Sequence, residues 1–114
     1  MSYSKYRANK TEVDGIVFDS KREAARYREL KLMEQTGEIF DLKLQPTFEL
    51  QKSFKHKGKT IRAITYKADF MYRARGITTF VVEDVKGMET EVFKIKRKMF
   101  LKQYGDEYNF VTIK

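Results

Sequence analysis

Two acids and a lysine are the residues best placed to do chemistry: Asp69 in the segment YKADF, and Asp84 and Lys86 in VVEDVKG. Both segments read as strands joined by a turn near Arg75-Gly76. Strand side chains alternate, so Phe80, Val82, Asp84 and Lys86 share one face while Val81, Glu83 and Val85 share the other, which leaves Glu83 without a catalytic role. A two-residue loop at Gly76-Ile77 sets Asp69 opposite Asp84. A loop at Arg75-Gly76 pairs Asp69 with Val82 instead and leaves Asp84 diagonal, on the same face. In either register two like charges meet across a hairpin, which requires full solvation or a cation between them. Mg²⁺, a hard cation that takes a few carboxylates plus waters and phosphate oxygens, suits the arrangement, with Mn²⁺ as its substitute. Such an ion would polarise a phosphodiester, acidify a bound water and stabilise the leaving oxygen. Lys86 would orient or help deprotonate that water, or neutralise the pentacovalent phosphate. The same spacing also fits an exposed strand end, where Asp84 and Lys86 form a surface ion pair worth about 0–1 kcal/mol.

The chain that must hold these residues is 114 residues long, the size of one domain. Hydrophobic residues make up 41% and aromatics 14%, enough apolar mass to bury a core. Lys and Arg number 24 against 16 Asp and Glu, a net charge of +8. That balance favours a polyanionic partner, nucleic acid first and an anionic membrane surface second. The absence of Cys excludes a disulfide scaffold, a thiolate zinc site and a cysteine nucleophile. The single histidine, His56, excludes a two-histidine nuclease motif within one chain. No segment reads as a signal peptide or is apolar for long enough to span a bilayer, so the expected location is the cytoplasm.

Residues 1–10, with Lys5, Arg7 and Lys10, read as a basic arm ahead of a single domain over residues 11–114. Residues 14–18 read as extended. Ala24, Tyr27, Leu30 and Met33 recur at helical spacing and predict a first helix over residues 20–35, ending near Gly37. Residues 39–44 and 48–54 then read as strands separated by Gln45-Pro46, and residues 55–59 as a polar loop. Residues 61–72 form a long alternating stretch that turns near Arg75-Gly76 into a strand over residues 77–86. Thr90 is an N-cap for a second helix running to about Tyr104, and residues 108–113 make a final strand. This order predicts an α/β (α+β) fold, a mixed β-sheet flanked by helices.

Other positions carry two readings each. Ser20-Lys21-Arg22-Glu23 is a capping box, in which the glutamate bonds back to the N-cap amide. In the second helix Lys94, Lys98 and Lys102 fall at i, i+4 and i+8 with Arg97 beside them, while Val92, Ile95, Met99, Phe93, Phe100 and Tyr104 supply the buried side. A lysine stripe is usually a solvated face, but no acid lies between Glu91 and Asp106, so this one would hold phosphates. Lys96 lies at the boundary of the two faces. Lys52, Lys55, Lys57, Lys59 and Arg62 read as a flexible loop beside a DNA channel, or as solubilising charge. Tyr66, Phe70 and Tyr72 read as core and sheet pairs rather than base-stacking platforms.

Taken together, Asp69 in YKADF and Asp84-Val85-Lys86 in VVEDVKG resemble the signature of the PD-(D/E)XK nuclease superfamily, an acid ending one strand followed by acid-x-Lys on the next. FDSKREAARYREL, residues 18–30, is similar to that superfamily's first-helix motif, whose glutamate joins the metal site; by position this is Glu23. KTEVDGIVFDSKREAARY, Gln45-Pro46, the ADF segment and EDVKG are similar to small phage and prophage proteins of unknown function assigned to the superfamily, over residues 6–113. Ala68 stands where the signature has a proline that is often missing. The resemblance implies a restriction-endonuclease-like core and a Mg²⁺-dependent endodeoxyribonuclease. In it Asp69 and Asp84 bind the metal with Glu23, Lys86 acts on the water, and Lys96 reaches toward the centre. Backbone contacts to DNA fall to Lys94, Lys98, Lys102, Lys55, Lys57 and Lys59. One chain of this size cuts one strand, so cleavage of both strands implies a two-fold dimer. The phage likeness implies branched DNA, such as Holliday junctions, as substrate, with a sequence-specific cutter as the other reading. A non-catalytic nucleic-acid-binding module on the same scaffold is the alternative, and membrane attachment is disfavoured because the second helix commits its apolar face to the sheet.

Overall fold

The computed structural model describes residues 10–114, so the expected basic arm lies outside it apart from Lys10, which pairs with Asp19 at 3.3 Å. The elements run β1 (Thr11–Val13), β2 (Ile16–Phe18), α1 (Lys21–Gln35), β3 (Ile39–Leu44), β4 (Thr47–Gln51), β5 (Phe54–His56), β6 (Lys59–Ile61), β7 (Ile64–Lys67), β8 (Phe70–Ala74), β9 (Phe80–Val85), α2 (Glu91–Tyr104) and β10 (Tyr108–Ile113).

Both helices start and stop where their sequences supply partners for the orphan backbone groups. Ser20 takes extended backbone and its Oγ accepts from Glu23 N at 3.0 Å. At the other end Gly37 adopts φ +82°, and the amides of Gly37 and Glu38 donate to the carbonyls of Glu34 and Met33 at 3.2 and 2.9 Å, a Schellman closure. Thr90 caps α2 in the same way as Ser20, its Oγ1 accepting from Phe93 N at 3.1 Å. Ser20→Ala is expected to lower stability by about 1 kcal/mol; urea unfolding with an unchanged midpoint would count against the cap.

The main sheet has the order β10-β9-β8-β3 and is mixed: β9 and β10 are parallel, with α2 as their crossover, and the other pairs are antiparallel. Alternation along the central strands sends Phe70, Tyr72, Val81 and Val85 into one apolar cluster with Phe18, Ala24, Tyr27 and Leu30. It sends Met71 and Val82 into a second with Phe93 and Phe100. The helices therefore cover opposite faces of the sheet, and each core is closed by aromatic contacts, Phe18 on Tyr27 and Phe100 on Phe48 at 4.9 Å each.

Residues 39–51 and 64–74 form one long antiparallel ribbon, broken where β3 passes into β4 and β7 into β8. Gln45, with φ +51°, and Pro46 make the bend in one strand, opposite Ala68 and Asp69 in the other. Pairing continues through it, with Gln45 N donating to Asp69 O at 2.9 Å and Ala68 N to Pro46 O at 3.0 Å. On the Asp69 side of this bend β8 belongs to the main sheet; beyond it β7 pairs with β4 alone.

Five expectations are corrected. Residues 14–18 do not form one extended segment: Asp14 and Gly15, both at positive φ, turn a hairpin between β1 and β2. Residues 55–59 are not a loop but the end of the β5–β6 hairpin, turned at Lys57-Gly58. The stretch over residues 61–72 is three strands, and the strand expected from residue 77 begins at Phe80. Val92 and Ile95 are 62% and 57% exposed, so the buried face of α2 is the narrower one carrying Phe93 and Phe100.

Candidate active site

The β8–β9 register pairs Phe70 with Glu83 and Arg73 with Phe80, and the ladder is extended by Asp69 N donating to Glu83 O at 3.0 Å. Asp69 therefore stands opposite Asp84, the register of the two-residue loop, although residues 75–79 form a longer connection opened by a turn from Ala74 O to Ile77 N. Asp84, 2% exposed, lies on the α2 side, where the Tyr66 hydroxyl donates to its Oδ2. Asp69 Oδ2 accepts from Val85 N at 2.6 Å, which ties it across the hairpin. Lys86 Nζ lies 3.4 Å from Asp84 Oδ1 and 4.4 Å from the centre of the Phe93 ring, so α2 helps hold the ammonium beside the acids.

Glu23 arrives from the opposite face of the sheet, in the first turn of α1. That turn is anchored to the end of β9 by Arg22, whose Nη1 donates to Lys86 O at 3.1 Å. The N-cap half of the expected capping box is present, but the Glu23 carboxylate takes its backbone support from Asp19 rather than closing the box on Ser20. Burial, then the charges of Asp69 and Asp19 and that of Asp84, push Glu23 up to about 7. Burial raises Asp69 to about 6, opposed by the Val85 amide and by Lys86 and reinforced by Asp84. Asp84 is also raised by burial, against the pull of Tyr66, Lys86 and Arg97. The structure thus brings Glu23, Asp69, Asp84 and Lys86 to one end of the sheet.

Among the described residues two buried oxygens there have no hydrogen bond, Glu23 Oε2 and Asp84 Oδ1, the latter in ion-pair contact with Lys86 at 3.4 Å. Unpartnered buried acceptors are costly, and both are hard carboxylate oxygens of the kind that ligate Mg²⁺ or Mn²⁺. The donor chemistry fits such an ion. Among the described residues no three acids stand close enough to ligate one ion as placed, so binding would draw these side chains together.

A proton held by Glu23 to about pH 7, against an ordinary value of 4.5, has a consequence for folding. Between those values the folded chain binds more protons than the unfolded chain, so stability falls as pH rises through the window and is lowest above it. Glu23→Gln should match wild type near pH 4 and melt higher at pH 8 without added metal. A gap in melting temperature that does not change with pH would contradict this.

The remaining sequence-predicted residues divide. Lys94, Lys98 and Lys102 form an exposed row on α2, with a loose contact of 3.9 Å from Lys94 to Glu91, and Lys96 is half-buried. The α2 cation whose charge acts on Asp84 is Arg97, clamped by Glu89 through two bonds of 3.0 Å. Lys55, Lys57 and Lys59 lie away from the acids on the β5–β6 hairpin. Glu83 contacts α1 as a buried acid: Arg26 Nε and Nη2 donate to it at 2.9 and 2.6 Å, and Tyr72 donates as well. Sequence reasoning missed Tyr66 and Arg97 as supports of Asp84. Tyr66 sits at the same strand parity as a core residue, and only the fold shows where its hydroxyl ends.

Fold and site together define a mixed α+β protein whose sheet gathers three acids and a lysine at one end, each supported from a different element. Over residues 3–114 the chain matches the family described as "Protein of unknown function (DUF1064)", and it belongs to that family. No curated protein and no solved structure matches it.

Proposed function

We propose that this chain is a metal-dependent endonuclease that hydrolyses phosphodiester bonds in DNA. The observation that carries the reading is that two buried carboxylates, Glu23 and Asp84, lie beside Asp69 at one end of the sheet, with Glu23 Oε2 unpartnered among the described residues and Asp84 Oδ1 in contact with the Lys86 ammonium at 3.4 Å. The likeness to the PD-(D/E)XK signature supports it. Glu23, Asp69 and Asp84 would hold Mg²⁺ or Mn²⁺, which supplies Lewis acidity and an acidified water. Tyr66 and the Val85 amide fix one oxygen of Asp84 and of Asp69; the second oxygen of Asp69 would face the ion, and that of Asp84 would be shared between the ion and Lys86. Lys86, held over Phe93, donates to a water or phosphate oxygen beside Asp84. The net charge of +8 favours DNA as the polyanion; one site per chain would need a two-fold dimer to cut both strands, and the likeness to phage proteins favours branched DNA such as a four-way junction.

The test is cleavage of a labelled four-way junction and its matched linear duplex in Mg²⁺, Mn²⁺ or EDTA. Metal-dependent cutting is expected, faster on the junction. Tight binding without cutting in either metal would overturn the endonuclease reading and leave a nucleic-acid-binding module.

A further inference from the structure

The β5–β6 hairpin serves none of the architecture described so far. Every residue from 51 to 61 is exposed, as is Arg62, so among the described residues the element buries no core and covers no sheet edge. It is nonetheless a regular ribbon, with Phe54 opposite Ile61, Lys55 opposite Thr60 and His56 opposite Lys59. Lys57 and Gly58, at φ +50° and +79°, close it in the tight two-residue turn that matches strand twist. An exposed two-stranded ribbon is marginal by itself, so an unpaired ribbon with this composition points to an external surface as its partner.

The charges say which surface. Lys52, Lys55, Lys57, Lys59 and Arg62 are five cations, and no acid occurs between Glu49 and Asp69. None of the five forms an ion pair among the described residues. Alternation places His56 and Lys59 on one face and Lys55 with Arg62 on the other, with Lys57 at the tip. A ribbon lying flat on an anionic sheet such as a membrane needs charge on one face; a ribbon with cations on both faces and the tip fits between two anionic walls. The major groove of B-form DNA is such a space, about 12 Å wide and able to admit a two-stranded ribbon, whereas the minor groove at about 6 Å is too narrow. Phe54 and Ile61, side by side and uncovered, supply an apolar pair of the kind that meets thymine methyl groups.

We infer that the β5–β6 hairpin is an arm that enters the major groove of duplex DNA beyond the acid cluster. Eleven residue steps separate Gly58 from Asp69, at most about 36 Å of extended chain. That is at most about one turn of duplex, so the arm grips DNA within one turn to the side of the scissile bond. The inference rests on the endonuclease reading only for that last relation; the groove contact stands on the arm itself.

The experiment compares wild type with Lys55→Ala/Lys57→Ala/Lys59→Ala, and with a chain in which residues 54–61 are replaced by Asn-Gly. Binding of a linear duplex is measured in EDTA against salt, together with its hydroxyl-radical footprint. Expected are a salt slope lower by about 2.7, three contacts at about 0.9 each, and a footprint shortened on one side by up to about 10 base pairs. An unchanged slope and footprint would overturn the arm. So would equal competition by an RNA duplex, whose major groove does not admit side chains, or a response of the variants on anionic vesicles alone. Lys94→Ala/Lys98→Ala/Lys102→Ala serves as control: it should lower the slope without shortening the footprint. Wild type that cuts DNA with an arm-independent footprint sinks the arm and spares the endonuclease; an arm-dependent footprint without cutting does the reverse.

Discussion

Asp84→Asn should reduce metal-dependent cleavage by roughly 10²–10⁴-fold while leaving the protein at least as stable as wild type. The two halves of this expectation come from the same burial. Asp84 is 2% exposed and burial raises its pKa, so its charge is carried at a cost that only a nearby cation relieves. The isosteric amide removes the charge, keeps an oxygen for the Tyr66 hydroxyl and fits the same space. On the proposed endonuclease reading, loss of a carboxylate that would hold the metal forfeits several kcal/mol of transition-state stabilisation, which is the range given. Thermal melting alongside the cleavage assay separates the two effects. A variant that still cuts within about tenfold of wild type would remove Asp84 from the chemistry, and one that melts far lower would make its role structural.

Arg26→Ala should be among the most destabilising single changes in the chain, by about 3–5 kcal/mol. Glu83 is 1% exposed, and its principal partner is the Arg26 guanidinium, bound through Nε and Nη2 at 2.9 and 2.6 Å. The pair is reciprocal, since the Glu83 hydrogen bond is the largest influence holding the Arg26 proton. Removing the arginine leaves a carboxylate sealed between α1 and the sheet with only the Tyr72 hydroxyl as donor. For a domain near this size each kcal/mol moves the melting temperature by roughly 4 °C, so a fall on the order of 12–20 °C is expected. Arg26→Met combined with Glu83→Leu should recover most of it, because an apolar pair of similar volume carries no desolvation cost. If Arg26→Ala alone changes the urea midpoint by less than about 1 kcal/mol, water reaches Glu83 and the pair is not a structural element.

Much of this arrangement is legible in the residues, and what is not has physical causes. The limits of α1 follow from Ser20 and Gly37, and the shared face of Asp84 and Lys86 follows from strand parity. The β5–β6 hairpin is hidden because an exposed ribbon has no apolar alternation, and Lys57 at φ +50° gives no compositional sign of a turn beyond the glycine after it. Asp14-Gly15 does carry such a sign between Val13 and Ile16, and a reading that weighs dipeptide turns before periodicity finds it. In α2 the apolar residues are too numerous to mark one face, so which half meets the sheet is decided by the aromatic bulk of Phe93 and Phe100 against Tyr66 and Phe48. Glu83 shows the same limit from the other side: parity gives its face, but only the seating of α1 supplies the arginine that makes burial tolerable.

The bend at Gln45-Pro46 and Ala68-Asp69 also separates two rates of change in this chain. On one side of it the ribbon belongs to the four-stranded sheet, with β8 paired to β9 beside the acids. On the other, past β4 and β7, every residue from 51 to 61 is exposed among the described residues, and the tip is a two-residue turn of the kind that tolerates insertion. Descendants can therefore lengthen or shorten the hairpin two residues per strand at a time, which preserves the facing of each side chain, without disturbing Asp69. Reach becomes a trait that varies independently of chemistry, and homologous chains should differ in length at Lys57-Gly58 far more than anywhere near Asp84.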